Sequence, residues 1–328
     1  MVVGMTKTVS IVTPCYNEED NVRICYETIR ALFADKLPDY RREHIFCDNA
    51  STDKTLEILR EIAATDSSVK VIVNSRNFGP IRNTFNGILA TNGDAVLLFL
   101  PADLQDPPEL IPDFVKLWEQ GYEVVYGVRA QRSDPWPMTM MRKAYYRLMA
   151  AVSYVQVPPD VGDFQLIDRK VLNAMRRFDD AQPFARLMTF ECGFRQVGIP
   201  YVVRARARGF SKNRLFHLIE QGLVGLVSFS SLPMRLALFG GFALAALSLL
   251  YAFLNAILFF TPFGADVPRG TTLLISALFF FAGIQVFFIG FLGEYILAIY
   301  NQVRRKPLVI ERERINFEPG EDNKAKNR

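Results

Sequence analysis

Three polar clusters stand directly after short apolar runs, and each carries side chains that can hold a nucleotide or a cation. The first is Pro14-Cys15-Tyr16-Asn17-Glu18-Glu19, the second Asp48-Asn49-Ala50-Ser51-Thr52-Asp53, and the third Pro101-Ala102-Asp103-Leu104-Gln105-Asp106-Pro107-Pro108. A carboxylate at the end of a second strand can accept from a base N–H or a ribose hydroxyl. Asp103 and Gln105 offer hard oxygen donors, the kind that Mg²⁺ or Mn²⁺ takes beside a diphosphate. Taken singly, such residues also serve as helix caps, a role open to Ser51 and Asp106. Three clusters in this order on one sheet edge read instead as a shared nucleotide and cation site. Arg129 and Arg132, and separately Arg204, Arg206, Arg208, Lys212 and Arg214, flank it with positive charge. Arginine forks grip phosphate oxygens in pairs, and basic residues near a bilayer also meet anionic lipid.

The elements that would position these clusters alternate along the first 130 residues. Apolar, β-rich runs at residues 9–13, 45–47, 69–73, 95–100 and 124–126 are separated by helical patterns at 19–33, 52–64, 81–90 and 107–119. In 52–64, for example, Leu56, Leu59, Ile62 and Ala63 recur at helical spacing. Pro107 suits the first turn of the last helix. This rhythm predicts an α/β fold with a mostly parallel sheet covered on both faces, whose ligands bind at the carboxyl ends of the strands.

Farther on, residues 236–260 and 271–293 carry no charge. At ~1.5 Å per residue each is long enough for a hydrocarbon layer of ~30 Å. Pro262, Gly264, Pro268 and Gly270 between them read as a short hairpin connection. Arg235 before the first stretch and Arg304, Arg305 and Lys306 after the second place both chain termini in the cytoplasm. Residues 215–232 are amphipathic, either a helix on the membrane surface or an ordinary packing helix. The tail after Pro307 mixes charges of both signs, carries Pro319-Gly320 and reads as disordered. The expected organisation is a cytoplasmic α/β domain over 1–214, a juxtamembrane amphipathic helix over 215–234, and two spans near 236–260 and 271–297. A cytoplasmic tail over 301–328 completes it.

Composition narrows the function classes. Of 328 residues half are hydrophobic, and the mean hydropathy of +0.12 is high for a purely soluble protein. Thirty-eight Lys and Arg against 34 Asp and Glu give a net charge of +4, too balanced for a dedicated nucleic-acid binder. Two histidines, His44 and His217, leave little room for a His-rich metal cage or a His relay. Cys15, Cys25, Cys47 and Cys192 form no C-x-x-C pair and read as free thiols in a reducing compartment. Residues 1–17 lack the basic and apolar regions of a signal peptide.

The motifs resemble those of inverting family 2 glycosyltransferases with a GT-A fold, of the dolichol-phosphate mannose synthase type. Within that group the chain is most similar to bacterial polyprenyl-phosphate enzymes with two C-terminal spans. The resemblance runs from residue 9 to about 306 and is most specific at Asp103-Leu104-Gln105-Asp106-Pro107-Pro108. It also takes in Arg76-Asn77-Phe78-Gly79, Gly127-Val128-Arg129 with Arg132, Gly162-Asp163-Phe164, Gly209-Phe210-Ser211-Lys212, and Phe229-Ser230 before Pro233. The resemblance implies nucleotide-sugar contacts at Pro14, Tyr16, Asn17, Glu18, Asp48, Asn77, Gly79, Ala102, Arg129 and Arg132. It implies Mg²⁺ or Mn²⁺ at Asp103 and Gln105, acceptor phosphate at Arg208, Ser211 and Lys212, and catalytic roles for Asp103 and Asp163. A UDP-linked sugar, a polyprenyl phosphate such as undecaprenyl phosphate, and the cytoplasmic face of a bacterial inner membrane follow as expectations, with a homo-oligomer left open. One departure stands out: the family usually reads Asp-Ala-Asp where this chain has Pro101-Ala102-Asp103, and Asp94 lies a strand length away. Two other readings stay open, transfer to a lipid hydroxyl and a catalytically silent membrane adaptor.

Overall fold

Strand β1 (Thr8–Cys15) is apolar at every second or adjacent position, and Val9, Ile11 and Val12 are fully buried. A strand covered on both faces needs that continuous apolar run. The computed structural model describes residues 6–131, 161–178, 183–204, 271–304 and 306–318, with Pro158, Asp180, Phe239, Ala243 and Leu250. Helix α1 (Val22–Lys36) lays Val22, Cys25, Tyr26, Ile29 and Phe33 on the sheet, one stripe at helical spacing. The pattern repeats in β2 (Arg41–Asp48), α2 (Thr55–Thr65), β3 (Val69–Asn74), α3 (Pro80–Leu89) and β4 (Ala95–Leu97). A short 3-10 turn at Pro108–Leu110 leads into α4 (Ile111–Glu119), which buries Ile111, Phe114, Val115 and Trp118.

Strand β5 (Val124–Gln131) is followed by β6 (Val161–Asp168), helices α5 (Arg169–Met175) and α6 (Ala185–Glu191), and β7 (Gln196–Val202). Beyond these come α7 (Thr271–Val303) and β8 (Glu311–Ile315). The eight described strands form one sheet in the order β7-β5-β6-β4-β1-β2-β3-β8. Pairing is parallel between β1 and β2, β1 and β4, β2 and β3, and β5 and β7, while β6 and β8 run antiparallel to their neighbours. The mostly parallel α/β sheet is therefore as expected. Chain order reverses direction at β1, which has β2 on one side and β4 on the other, so a crevice opens at their carboxyl ends.

Two parts of the sequence reading need correction. Strands β6 and β7 were not anticipated, because their polar residues (Asp163, Gln165, Gln196) break the apolar run. The tail was expected to be disordered; instead β8 pairs with β3, with Ile315 opposite Val71 and Arg314 opposite Ile72. Its sequence alternates charges, Glu311-Arg312-Glu313-Arg314, as suits a strand at a sheet edge. Asp94, a strand length away in the sequence reading, is indeed remote: its carboxylate accepts from Thr8 N (2.8 Å) at the opposite end of β1.

The chain divides into two compact units. One contains the sheet and, from Arg305 on, the tail strand; the other contains α7. Helix α7 covers the second expected span, and at ~1.5 Å per residue its 33 residues measure ~50 Å. Its segment Ile284–Val303 is, among the described residues, the one stretch long and apolar enough to cross a membrane. Leu274, Leu278, Val286 and Ile299 on it are more than half exposed. Of the first expected span, Phe239, Ala243 and Leu250 are described, each helical and exposed, while its other residues and the juxtamembrane helix lie outside the described residues.

Candidate functional site

The turns after β1 and β2 are laced together by their own polar groups. Asn17 takes a left-handed backbone (φ 55°), and its N–H donates to Ser51 Oγ (3.0 Å). Its side-chain oxygen accepts from Thr52 N (2.8 Å), while Glu18 N donates to Thr55 Oγ1 (2.8 Å). Glu19 accepts from Lys54 N (3.0 Å), and Glu18 accepts from Asn21 (2.7 Å). Asn17 and Glu18 therefore shape the turn, whereas Tyr16 is 37% exposed. Ser51 does not cap α2, which has no side-chain cap at its N-cap residue.

Asp48 ends β2 in a buried position and receives the Ser51 N–H (3.2 Å to Oδ2). Burial pushes its pKa above the ordinary carboxylate value despite the hydrogen bonds from Ser51. The sign follows: a raised folded-state pKa means that ionised Asp48 costs stability, and that protonation on acidification comes earlier than for a free Asp. If Asp48 accepts from a base N–H, nucleotide affinity should fall as the pH drops from neutral through that raised value. The acid limb should vanish in Asp48→Asn, with weak binding throughout and undiminished thermal stability; nucleotide titrations at several pH values check this.

Asparagines hold the turn between β3 and α3. Asn49 Nδ2 donates to Asn77 Oδ1 (2.9 Å) and to Gly79 O (3.3 Å), and its Oδ1 accepts from Phe78 N (3.0 Å) and Asn74 Nδ2 (3.1 Å). Asn74 also donates to Asn83 Oδ1 (2.8 Å), and Asn83 donates to Cys47 O (2.8 Å). Gly79, at φ 86°, needs the conformational freedom of glycine before Pro80 starts α3. Asn77 thus faces inward as a latch, while Arg76 lies 4.0 Å over the Phe78 ring.

The β4 end carries the densest group of charges. A turn closed by Leu104 N to Pro101 O (3.0 Å) presents Asp103, whose Oδ2 accepts from Gln105 Nε2 (3.0 Å). Ala102 is buried in the core. Asp106 is not a helix cap. It is buried, accepts from Tyr201 OH, and faces Arg129 (3.5 Å), whose Nε–H donates to Tyr201 OH (3.1 Å). Burial raises the Asp106 pKa, opposed by Arg129; burial also works against the charge on Arg129, but Asp106, Tyr201 and Asp163 together outweigh it. Arg129 is therefore committed to this buried group. Gly127 and Gly162 make room for it: a Cβ on Gly127 would stand 2.5 Å from the Tyr201 ring, and one on Gly162 3.2 Å from Tyr201 OH.

Asp163 on β6 opens to solvent, its side chain 47% exposed, with Arg186 at 3.8 Å. Asp103 and Asp163 both lie within electrostatic reach of Asp106, and each adds to the rise in its pKa that burial dominates. Arg204 is engaged with Glu109 (3.1 Å), and its N–H donates to Gln105 O (2.9 Å). No group of three His, Cys, Asp or Glu able to hold a metal occurs among the described residues. Asp103 with Gln105 supplies hard oxygen donors from one side only, a set that fits Mg²⁺ or Mn²⁺ whose other ligands come from a diphosphate.

Residues 10–176 match the profile of Glycosyl transferase family 2. Over 305 residues, 92% of each chain, the sequence is 35% identical to "Uncharacterized glycosyltransferase YkcC" of Bacillus subtilis (strain 168). The chain belongs to glycosyltransferase family 2. It is also 32% identical over 308 residues, 92% of this chain and 96% of the other, to "Bactoprenol glucosyl transferase" of Shigella phage SfII. A glucosyl-3-phosphoglycerate synthase from Mycobacterium tuberculosis, solved with Mn²⁺ and UDP, is 24% identical. It covers 68% of this chain and 79% of its own, with a TM-score of 0.44, a likeness too distant to say which donor or acceptor this glycosyltransferase takes.

Of the glycosyltransferase's expected site residues, Pro14, Tyr16, Asp48, Asp103, Gln105, Arg129 and Asp163 stand at the carboxyl edge or beside it. Arg132, Arg208, Ser211 and Lys212 lie outside the described residues. Sequence reasoning missed Tyr201, Arg186 and the asparagines 49, 74 and 83. Tyr201 sits in a strand that was not foreseen, and Asn49 carried a signal only in standing next to Asp48.

Proposed function

We propose that this glycosyltransferase moves a sugar from a nucleotide sugar, UDP-linked, to a polyprenyl phosphate at the cytoplasmic face of a bacterial inner membrane. The observation that carries the reading is the gathering of polar groups at the carboxyl edge of the sheet: Asp48 ends β2, and Asp103 stands on the β4 turn that also leads to the buried Asp106–Tyr201–Arg129 group. A donor whose base lies near Asp48 and whose diphosphate reaches Asp103 would present its anomeric carbon toward Asp163. The name of the phage relative, bactoprenol glucosyl transferase, supports a polyprenyl phosphate as acceptor. The apolar helix α7 supports a membrane setting, and the return of the tail strand to the sheet after α7 supports an even number of crossings.

In this reading an oxygen of the acceptor phosphate attacks the anomeric carbon while the bond to the diphosphate breaks, and the nucleoside diphosphate leaves. A single displacement inverts the anomeric centre. A phosphate oxygen is already largely ionised near neutral pH, so little base strength is needed. Asp163 then orients the acceptor and takes any residual proton, with Arg186 as its counter-charge. The Asp106–Tyr201–Arg129 group fixes the floor between the two ligands. A divalent cation bound at Asp103 and Gln105 would neutralise charge on the departing diphosphate.

The test is mass spectrometry of lipid products after the purified protein is incubated with polyprenyl phosphate and a panel of nucleotide sugars. A glycosylated polyprenyl phosphate is expected from one donor of the panel. Products only with glycerolipid or ceramide acceptors would overturn the choice of acceptor, and no product from any donor would overturn the reading.

A further inference from the structure

Strand β8 reaches the turn that the resemblance assigns to the donor. Ser75 N, the first amide after β3, donates to Ile310 O (2.9 Å). Glu311 accepts from Asn86 of α3 (2.6 Å), and Arg314 holds that same carboxylate at 2.6 and 2.9 Å. The start of the turn at residues 75–79, and the helix α3 that follows it, are thus tied to the tail. The pairing shifts register between Val73 and Asn74, where β3 bends into that turn. From the other side the turn hangs on Asn49, the neighbour of Asp48. The tail is itself well anchored. Asn316 donates to Ala63 O (2.7 Å) and Val69 O (2.9 Å), Arg60 meets Glu313, and Ile315 packs against the core.

We propose that β8 is a positioning segment for the donor site. It fixes the turn carrying Arg76 and Asn77 against Asp48, so that nucleotide affinity depends on a strand that follows the last apolar helix. Without it β3 becomes a bare edge, Ser75 N and Asn86 lose their partners, and the turn is held by the Asn49 side alone. The proposal rests on the donor reading given above.

The experiment compares the full chain with a variant ending at Pro307, both in detergent, using UDP, GDP, CDP and ADP as probes in calorimetry. The best-bound nucleotide should bind about tenfold more weakly to the truncated chain. The KM for polyprenyl phosphate should stay within about twofold, a split that general loss of structure would not produce. The Ser75 amide should exchange with solvent faster in the truncated chain, and a peptide of residues 308–318 should restore affinity by adding back to the β3 edge. Asn86→Leu, which cuts one tie and leaves the sheet whole, should weaken the nucleotide about threefold. Unchanged nucleotide affinity in the folded truncation, or in Asn86→Leu where the truncation does not fold, overturns the proposal. No nucleotide binding by the full chain overturns the donor reading, and this proposal with it.

Discussion

Asp103→Asn lowers sugar transfer by about a hundred- to a thousandfold, or ~3–4 kcal/mol of transition-state stabilisation. The residue stands on a turn at the β4 end, close to Asp106 and Asp163, with Gln105 as its hydrogen-bonded neighbour. Replacing its carboxylate by a carboxamide keeps the shape and removes the charge that the proposed reading sets beside a cation and a diphosphate. Two positions before it in the turn stands Pro101, which offers no carboxylate. Thermal unfolding should hardly change, because the lost bonds to Gln105 are local. Initial rates with labelled nucleotide sugar, measured beside an unfolding curve, decide it. Turnover within about tenfold of the parent chain would move the reacting centre elsewhere.

Asp106→Ala acts on folding. Removing one partner of a buried ion pair generally costs about 3–5 kcal/mol, since the other charge stays behind uncompensated. Arg129 keeps 24% of its side chain exposed and can turn partly toward water, so about 2–4 kcal/mol is expected. Tyr201 loses its acceptor in the same step. Asp106→Asn should cost less, because an amide oxygen can still accept from Tyr201. Denaturant unfolding of the two variants tests the order; equal stability of Asp106→Ala and the parent chain would mean that the group does not hold the site floor together.

The parallel half of the sheet was legible because its strands are continuous apolar runs and its helices show one buried stripe. Leu59, Ile62 and Ala63 were identified from spacing alone and are buried. The polar clusters were legible because parallel sheets gather their ligand residues at one edge. What stayed hidden depended on distant partners. Nothing local distinguishes Asp106 from a helix cap; its role comes from Tyr201, 95 residues later in the chain. Asn77 reads in the sequence as a ligand contact alone, whereas in the fold its side-chain oxygen is also held by Asn49, from the turn after β2. The tail looked like a solvated mixture of charges because the contacts that tie it to the sheet domain, such as Arg60 with Glu313, join residues far apart in sequence.

The position of β8 in the chain also sets an order of events during synthesis. The segment Glu311–Ile315 leaves the ribosome after every other described strand and after the whole of α7. Until then the sheet ends at β3, whose Val71, Ile72 and Val73 would offer an open apolar edge to any other extended chain. The nascent protein is therefore most prone to aggregate while α7 is being made, and a chain stalled or cleaved before residue 311 keeps that hazard permanently.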